Sequence, residues 1–145
     1  MKWLTKLFKP VPVAPTARQA QQSNAYDLIG GADTIANIAS AFYQEMQTNP
    51  DTQALLAMHR APIAESQQKL FEFLSGWLGG PALFEQKHGH PALRARHMPF
   101  AVTTELKDQW LLCMDKALST QVKETAHQVA IYQAISELAA NMVNQ

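Results

Sequence analysis

The sequence has 145 residues, 12 basic and 12 acidic side chains, no formal net charge and 47% hydrophobic residues; that is room for one domain with a core and gives no general pull toward nucleic acid. Its one cysteine, Cys113, excludes an intrachain disulfide framework and any cysteine-rich zinc or iron–sulfur centre. No run reaches the roughly 20 apolar residues that cross a bilayer, and no internal repeat is visible.

Residues 1–25 divide in two. The head, MKWLTKLFK, would place Trp3, Leu4, Leu7 and Phe8 on one helical face and Lys2, Lys6 and Lys9 away from it, the pattern of an interfacial anchor in weak contact with a membrane surface through residues 1–9. An N-terminal extension with no partner is the simpler reading. The apolar run is too broken for a secretory signal, and a lone thiol inside an apolar stretch reads as a reduced core residue, so the expected location is cytoplasmic. In the connector PVPVAPTARQAQQSNA, Pro10, Pro12 and Pro15 favour extended backbone and keep the head apart from the domain.

The domain is expected over residues 26–145. A brief helical turn, YDLI, ends at Gly30 and Gly31, after which Ile35, Ile38, Phe42 and Met46 recur at three- and four-residue steps in a helix running to about Gln47. Tyr43 sits at the edge of that stripe, where a tyrosine is usually core with its hydroxyl tied to backbone. DTQALLAMH predicts a short helix with Asp51 near its start and His59 at the turn that ends it. From Pro62, Ile63, Leu70, Leu74 and Trp77 share one side of a longer helix, widened by Phe73 and stopped by Gly79, Gly80 and Pro81.

PALFEQKHGH then reads as a polar loop. Its His88 and His90 form an HxH pair, but no carboxylate or cysteine at a suitable spacing completes a metal site. Pro91 suits the first position of a short helix ending at Arg94 to His97, before Met98 and Pro99 stop it. An imidazole there, with Arg94 and Arg96 close by and Trp110 farther on, suits a haem: nitrogen for iron, cations for propionates, an aromatic surface for the ring. The alternative is a satisfied helix-end histidine. Two later helices are expected over Thr104 to Leu118, with Leu106, Trp110, Cys113 and Ala117 on one stripe, and Val122 to Met142, with Ile131, Ile135, Leu138 and Met142. Both stripes are wide, so both helices should be mostly buried. No segment alternates convincingly as a strand, and the fold class is all-α.

The string LSGWLGGPALFEQKHGHPALRARHMPF followed by DQWLLCM resembles the group II, or O-type, truncated haemoglobins of bacteria, in motif and in order, and the resemblance extends from Tyr26 to about Val143. It implies a truncated globin fold, the two-over-two helical sandwich, and haem b (iron protoporphyrin IX) as cofactor. By the same resemblance His97 is the proximal iron ligand and Trp110 the large distal tryptophan. Tyr43 matches the tyrosine that reaches the ligand. His59 falls where the family has a polar or aromatic residue at the distal pocket, although a surface histidine is the other reading. Ser66 and Leu70 match pocket positions, with Ser66 departing from the small apolar residue expected there. Lys69 matches a position near a propionate, and Phe73, Phe84, Arg94, Arg96, Met98 and Phe100 are further expected haem contacts.

The function so implied is binding of O2, CO or NO, as oxygen binding or transport, with NO-detoxifying or peroxidase-like turnover served by an unidentified reductase. Monomer and homodimer both remain open. A different class also fits the residues alone: a cofactor-free helical interaction domain in which His97 and Trp110 only pack.

Overall fold

The structure, a computed structural model, describes residues 24–145, so the head and its expected surface contact lie outside the described residues. Asn24 starts the described chain. Its side chain accepts from Asp27 N–H at 2.9 Å, capping α1 (Ala25–Leu28), and its amide donates to the Gly79 carbonyl at 3.1 Å. Asn24 and Ala25, just ahead of the expected start at Tyr26, are thus already tied into the helices.

The long helix α2 (Gly31–Thr48) buries Ile35, Ile38, Ala39, Phe42, Tyr43 and Met46 along one side. Each large apolar side chain so covered contributes about 1.5–3 kcal/mol of transfer free energy. Asn49 ends α2, and its side-chain oxygen accepts from Asp51 N–H at 2.8 Å. Residues Pro50–Thr52 form a 3-10 turn before α3 (Gln53–Ala57). Asp51 thus belongs to the turn and not to the first turn of α3. Fully buried Thr52 fixes the corner, donating to the carbonyls of Met46 at 2.9 Å and Asn49 at 3.1 Å.

Helix α4 (Ile63–Trp77) ends as the glycines dictate: Gly79 has φ +100, a left-handed conformation that side chains disfavour, and Gly80 N–H donates to the Ser75 carbonyl at 2.8 Å. Gly80 is needed for a different reason, because a Cβ there would lie 2.3 Å from the Tyr26 ring. We expect Gly80→Ala to displace Tyr26 and destabilise the domain by about 1–3 kcal/mol. Urea denaturation would measure it, and an unchanged midpoint would contradict the packing reason for this glycine.

The segment expected to be a polar loop is in part a helix, α5 (Leu83–His88). A six-residue helix does not persist in water by its own propensity, so its partners must hold it. Phe84 is buried, and Lys87 and His88 reach back to Glu72 on α4. The next helix, α6 (Leu93–His97), starts two residues later than expected, with Ala92 as its cap at φ +41. Pro91 therefore stands outside the helix, its carbonyl accepting from Arg96 Nε at 2.6 Å.

Helix α7 (Thr104–Gln121) runs three residues beyond Leu118 and is capped by Thr103, whose hydroxyl accepts from Leu106 N–H at 3.2 Å. Val122 is extended and buried, so α8 (Thr125–Ala140) begins later than predicted, and its end is also earlier than Met142. The expected burial holds for Cys113, Ala117, Ile131 and Ile135, whereas Leu106, Trp110, Leu138 and Met142 are only half-buried. These four lie toward the start of α7 and at or just beyond the end of α8.

Helix α2 packs on both α4 and α7, and α8 packs on α7, which sets one pair, α2 and α4, over another, α7 and α8. Every regular element among the described residues is helical. No helix among them is long and apolar enough to cross a membrane.

Candidate functional site

Two groups of side chains bear on the expected chemistry, one around the buried Tyr43 and one around the half-exposed His97. The first gathers around Tyr43. Its hydroxyl lies 3.5 Å from His59 Nε2, the rings meet edge to face at 5.6 Å, and Ser66 on α4 is a further hydrogen-bond partner. Phe42, the next residue on α2, has its ring 5.0 Å from Tyr43 and 5.1 Å from Trp110 on α7. The structure thus brings Tyr43, His59 and Ser66 into contact and sets Trp110 beside them through Phe42.

The protonation of this cluster follows from its partners. His59 Nδ1 lies 3.0 Å from the Leu55 carbonyl, and a carbonyl can only accept, so Nδ1 carries the proton. In the neutral ring Nε2 is then an acceptor for the Tyr43 hydroxyl. Burial pushes the Tyr43 pKa up to about 12, against the opposing hydrogen bond of Ser66 and with a smaller upward push from Cys113. Tyr43 consequently stays a neutral O–H donor. Cys113, fully buried, is pushed up to about 11 by burial and then by the Glu45 charge, so it remains a thiol and an inert core group.

The second group surrounds His97, at the end of α6. Its Nδ1 lies 2.6 Å from the Leu93 carbonyl one turn back, which again makes Nδ1 the protonated nitrogen and leaves the lone pair on Nε2. A ligating histidine has this arrangement, one nitrogen for a metal and the other fixed by a carbonyl. The chain that follows it is apolar, with Met98 57% exposed and Phe100 half-buried. An imidazole whose Nδ1 is fixed by a carbonyl, followed in the chain by the apolar Met98 and Phe100, fits a haem ligand.

Arg94 and Arg96, expected near propionates, are held by main-chain carbonyls. Arg94 donates to the carbonyls of Asn141 and Val143, tying α6 to the C-terminal segment. Arg96 gathers the carbonyls of Pro91, His88 at 2.8 Å and His90 at 3.1 Å, and its guanidinium lies 5.1 Å over the Phe84 ring. Phe84 meets Phe73 edge to face at 6.4 Å, and Leu70 packs against the core. Lys69 is exposed on α4. The HxH pair is split: His90 Nδ1 accepts from Ala92 N–H at 3.0 Å, while His88 Nε2 lies 3.2 Å from Glu72 Oε1. The sequence suggested no carboxylate for His88. Helix pairing brings one sixteen residues away, which the Lys87 ammonium shares at 2.6 Å.

Three positioning residues went unnoticed in the sequence. Asn144 holds the stretch after His97, donating to the carbonyls of His97 at 3.3 Å and Phe100 at 3.0 Å and accepting from Val102 N–H at 2.9 Å. Gln109, beside Trp110, accepts from Leu55 N–H at 3.0 Å and so anchors the helix that leads to His59. Arg60 lies 5.0 Å over the Phe100 ring, joining the loop after His59 to the segment after His97. None has a periodicity signal, because each acts across the fold at a separation of 40 or more residues.

Comparison with known proteins gives this geometry a family. The bacterial-like globin family profile matches residues 24–144. The chain is 35% identical over 126 residues to the group 2 truncated hemoglobin YjbI of Bacillus subtilis (strain 168), covering 86% of this chain and 92% of that protein. Among solved structures, it is similar to the cold-adapted truncated hemoglobin from the Antarctic marine bacterium Pseudoalteromonas haloplanktis TAC125, with a TM-score of 0.82, 44% identity and coverage of 84% of this chain and 98% of that one. The group II 2-on-2 hemoglobin from the plant pathogen Agrobacterium tumefaciens also gives 0.82, at 31% identity over 93% and 99% of the two chains. The two helix pairs are therefore the two-over-two sandwich, the family implies a haem cofactor, and the chain belongs to the group II truncated haemoglobins of the bacterial-like globin family.

Proposed function

We propose that His97 would hold haem b and that this globin binds O2, CO and NO, with Tyr43 and Trp110 as hydrogen-bond donors to the ligand and His59 beside them as the acceptor that orients the Tyr43 hydroxyl. The observation that carries the reading is the bond from His97 Nδ1 to the Leu93 carbonyl, which commits Nε2 to act as the lone-pair donor. Haem, when bound, would supply the iron chemistry that takes up a diatomic ligand, and this chain's own part is to hold it through His97 and to offer hydrogen-bond donors to that ligand.

Tyr43 supplies an O–H that burial keeps protonated, and its 3.5 Å contact with His59 is long enough for that proton to be redirected toward a stronger acceptor. Trp110 supplies an N–H from α7. Phe42, Leu70 and Phe73 exclude water, which strengthens both donors. Leu70, Phe73, Phe84, Met98 and Phe100 supply the apolar contacts for the macrocycle, and Lys69 stands on α4 for a propionate. Donors of this kind retain O2, which suits NO-detoxifying or peroxidase-like turnover, or sensing, more than bulk delivery. Such turnover needs electrons from a separate reductase, and we place it in the cytoplasm.

Protein purified from haem-sufficient cells is expected to be red, with a strong Soret band. A colourless, folded protein that also refuses added hemin would reject the proposal in favour of a cofactor-free interaction domain.

A further inference from the structure

Glu72 has 2% of its surface exposed, on the side of α4 that faces α5. Lys87 Nζ lies 2.6 Å from its Oε2, Gln68 Nε2 3.2 Å from the same oxygen, and His88 Nε2 3.2 Å from Oε1. Glu85 of α5 and Pro91 line the same small cleft. Burial by itself pushes the carboxyl pKa up, but the hydrogen bonds from Lys87, Gln68 and His88, together with the Lys87 charge, outweigh it and hold the pKa below the usual glutamate value. A buried carboxylate is costly to keep, so what it holds in place matters.

From His88 the connection continues to α6. The His88 carbonyl accepts from Arg96 Nη2 at 2.8 Å, and the His88 ring lies 4.7 Å from Phe84, which Arg96 covers. Arg96 immediately precedes His97. Helix α6 has only five residues and is entered through Ala92 at φ +41, a conformation that disfavours any residue with a Cβ. Nothing intrinsic fixes the direction of such a helix. Its direction comes from Arg96 on one flank and from Arg94 and Asn144 on the other.

We infer that Glu72 is a positioning residue for the proximal histidine: it acts from α4 through His88 and Arg96 to fix the orientation of α6 and of His97. The inference rests on the proposed role of His97 as iron ligand. Glu72 touches neither haem nor ligand in this scheme. It couples the helix lining the distal side to the short helix of the proximal side.

The linkage has a definite sign. A carboxyl whose pKa is depressed on folding contributes stability above its unfolded pKa and loses it as pH falls through the folded one. The clasp therefore holds at neutral pH and lets go on the acid side of the ordinary glutamate range.

The test uses the full-length, haem-loaded protein with Glu72→Gln, His88→Gln, Arg96→Gln and the Glu72→Gln/Arg96→Gln pair. Two readouts are taken at neutral pH: amide hydrogen exchange across residues 83–98, and the iron–histidine stretching band of the ferrous protein. Glu72→Gln and His88→Gln are each expected to speed exchange in α6 as well as α5, by about 10-fold, and to shift the band. Arg96→Gln cuts the same connection at its other end and also removes the bonds to Pro91 and His90, so the pair should give less than the sum of the two single effects, and full additivity would count against a shared connection. Faster exchange confined to α5, with α6 and the band unchanged, would leave Glu72 as a stabilising residue only and overturn the inference. Should Glu72→Gln fail to fold, His88→Gln at its partly exposed side chain carries the same test. If wild-type protein takes up no haem, the iron-ligand reading has failed, while α6 exchange in the haem-free protein still decides whether Glu72 orients that helix.

Discussion

Replacing His97 by alanine is expected to leave the helices formed while haem affinity falls by more than the roughly 10- to 100-fold that loss of an outer-shell partner costs a ligating histidine. His97 is half-exposed on a five-residue helix, so its removal opens no large core cavity. Far-ultraviolet circular dichroism should therefore change little. Added imidazole should partly restore a bound spectrum by supplying the missing nitrogen. His90 is the natural competitor as ligand, but its Nδ1 accepts from Ala92 N–H at the start of α6. A His97→Ala protein with an unchanged ferrous spectrum would mean that another histidine holds the iron.

The second large effect is expected at the distal donors. Trp110→Phe keeps most of the aromatic surface beside Phe42 but deletes an N–H, and a hydrogen bond to a charged acceptor is worth roughly 1.5–3 kcal/mol. That corresponds to an O2 dissociation rate raised about 10- to 100-fold. CO develops less charge on its outer atom, so its release should accelerate less. Tyr43→Phe should act in the same direction, and because both donors address one ligand the double variant should be less than additive. The Tyr43 result has a further component: without the hydroxyl, His59 Nε2 loses its donor and turns to water, while the Ser66 hydroxyl is released to find another partner. Stopped-flow or photolysis rates decide between the possibilities. Equal acceleration for O2 and CO would make Trp110 a steric barrier, and no change in either would remove it from the ligand's surroundings.

Both experiments concern residues visible in the sequence, whereas the residues that hold them are not. His97, Trp110 and Tyr43 lie on stretches whose local pattern is informative, a stopped helix end or an apolar stripe. Glu72, Gln109 and Asn144 sit in ordinary polar surroundings and acquire their roles only when α4 meets α5, α3 meets α7 and the C-terminal segment meets residues 97–102.

By itself, the sequence determined the all-helical class, the faces of α2, α4, α7 and α8, the glycine stop after α4, and the family resemblance that singled out His97. Those features are local: helical periodicity repeats every few residues, and a left-handed glycine needs no distant partner. Tertiary structure decided the rest. PALFEQKHGH has too short a helical stretch to fold alone and becomes α5 because Phe84 is buried and Glu72 binds Lys87 and His88. Pro91 falls outside α6 because Arg96 draws three carbonyls around itself and sends the chain through a left-handed Ala92. Arg94 and Arg96, which the resemblance sets near the propionates, also donate to exposed main-chain carbonyls of other segments, because a guanidinium fork can satisfy several acceptors at once. Such partners are set by which chain segments arrive together, and that is fixed by packing of the helix pairs rather than by any residue's neighbours in sequence.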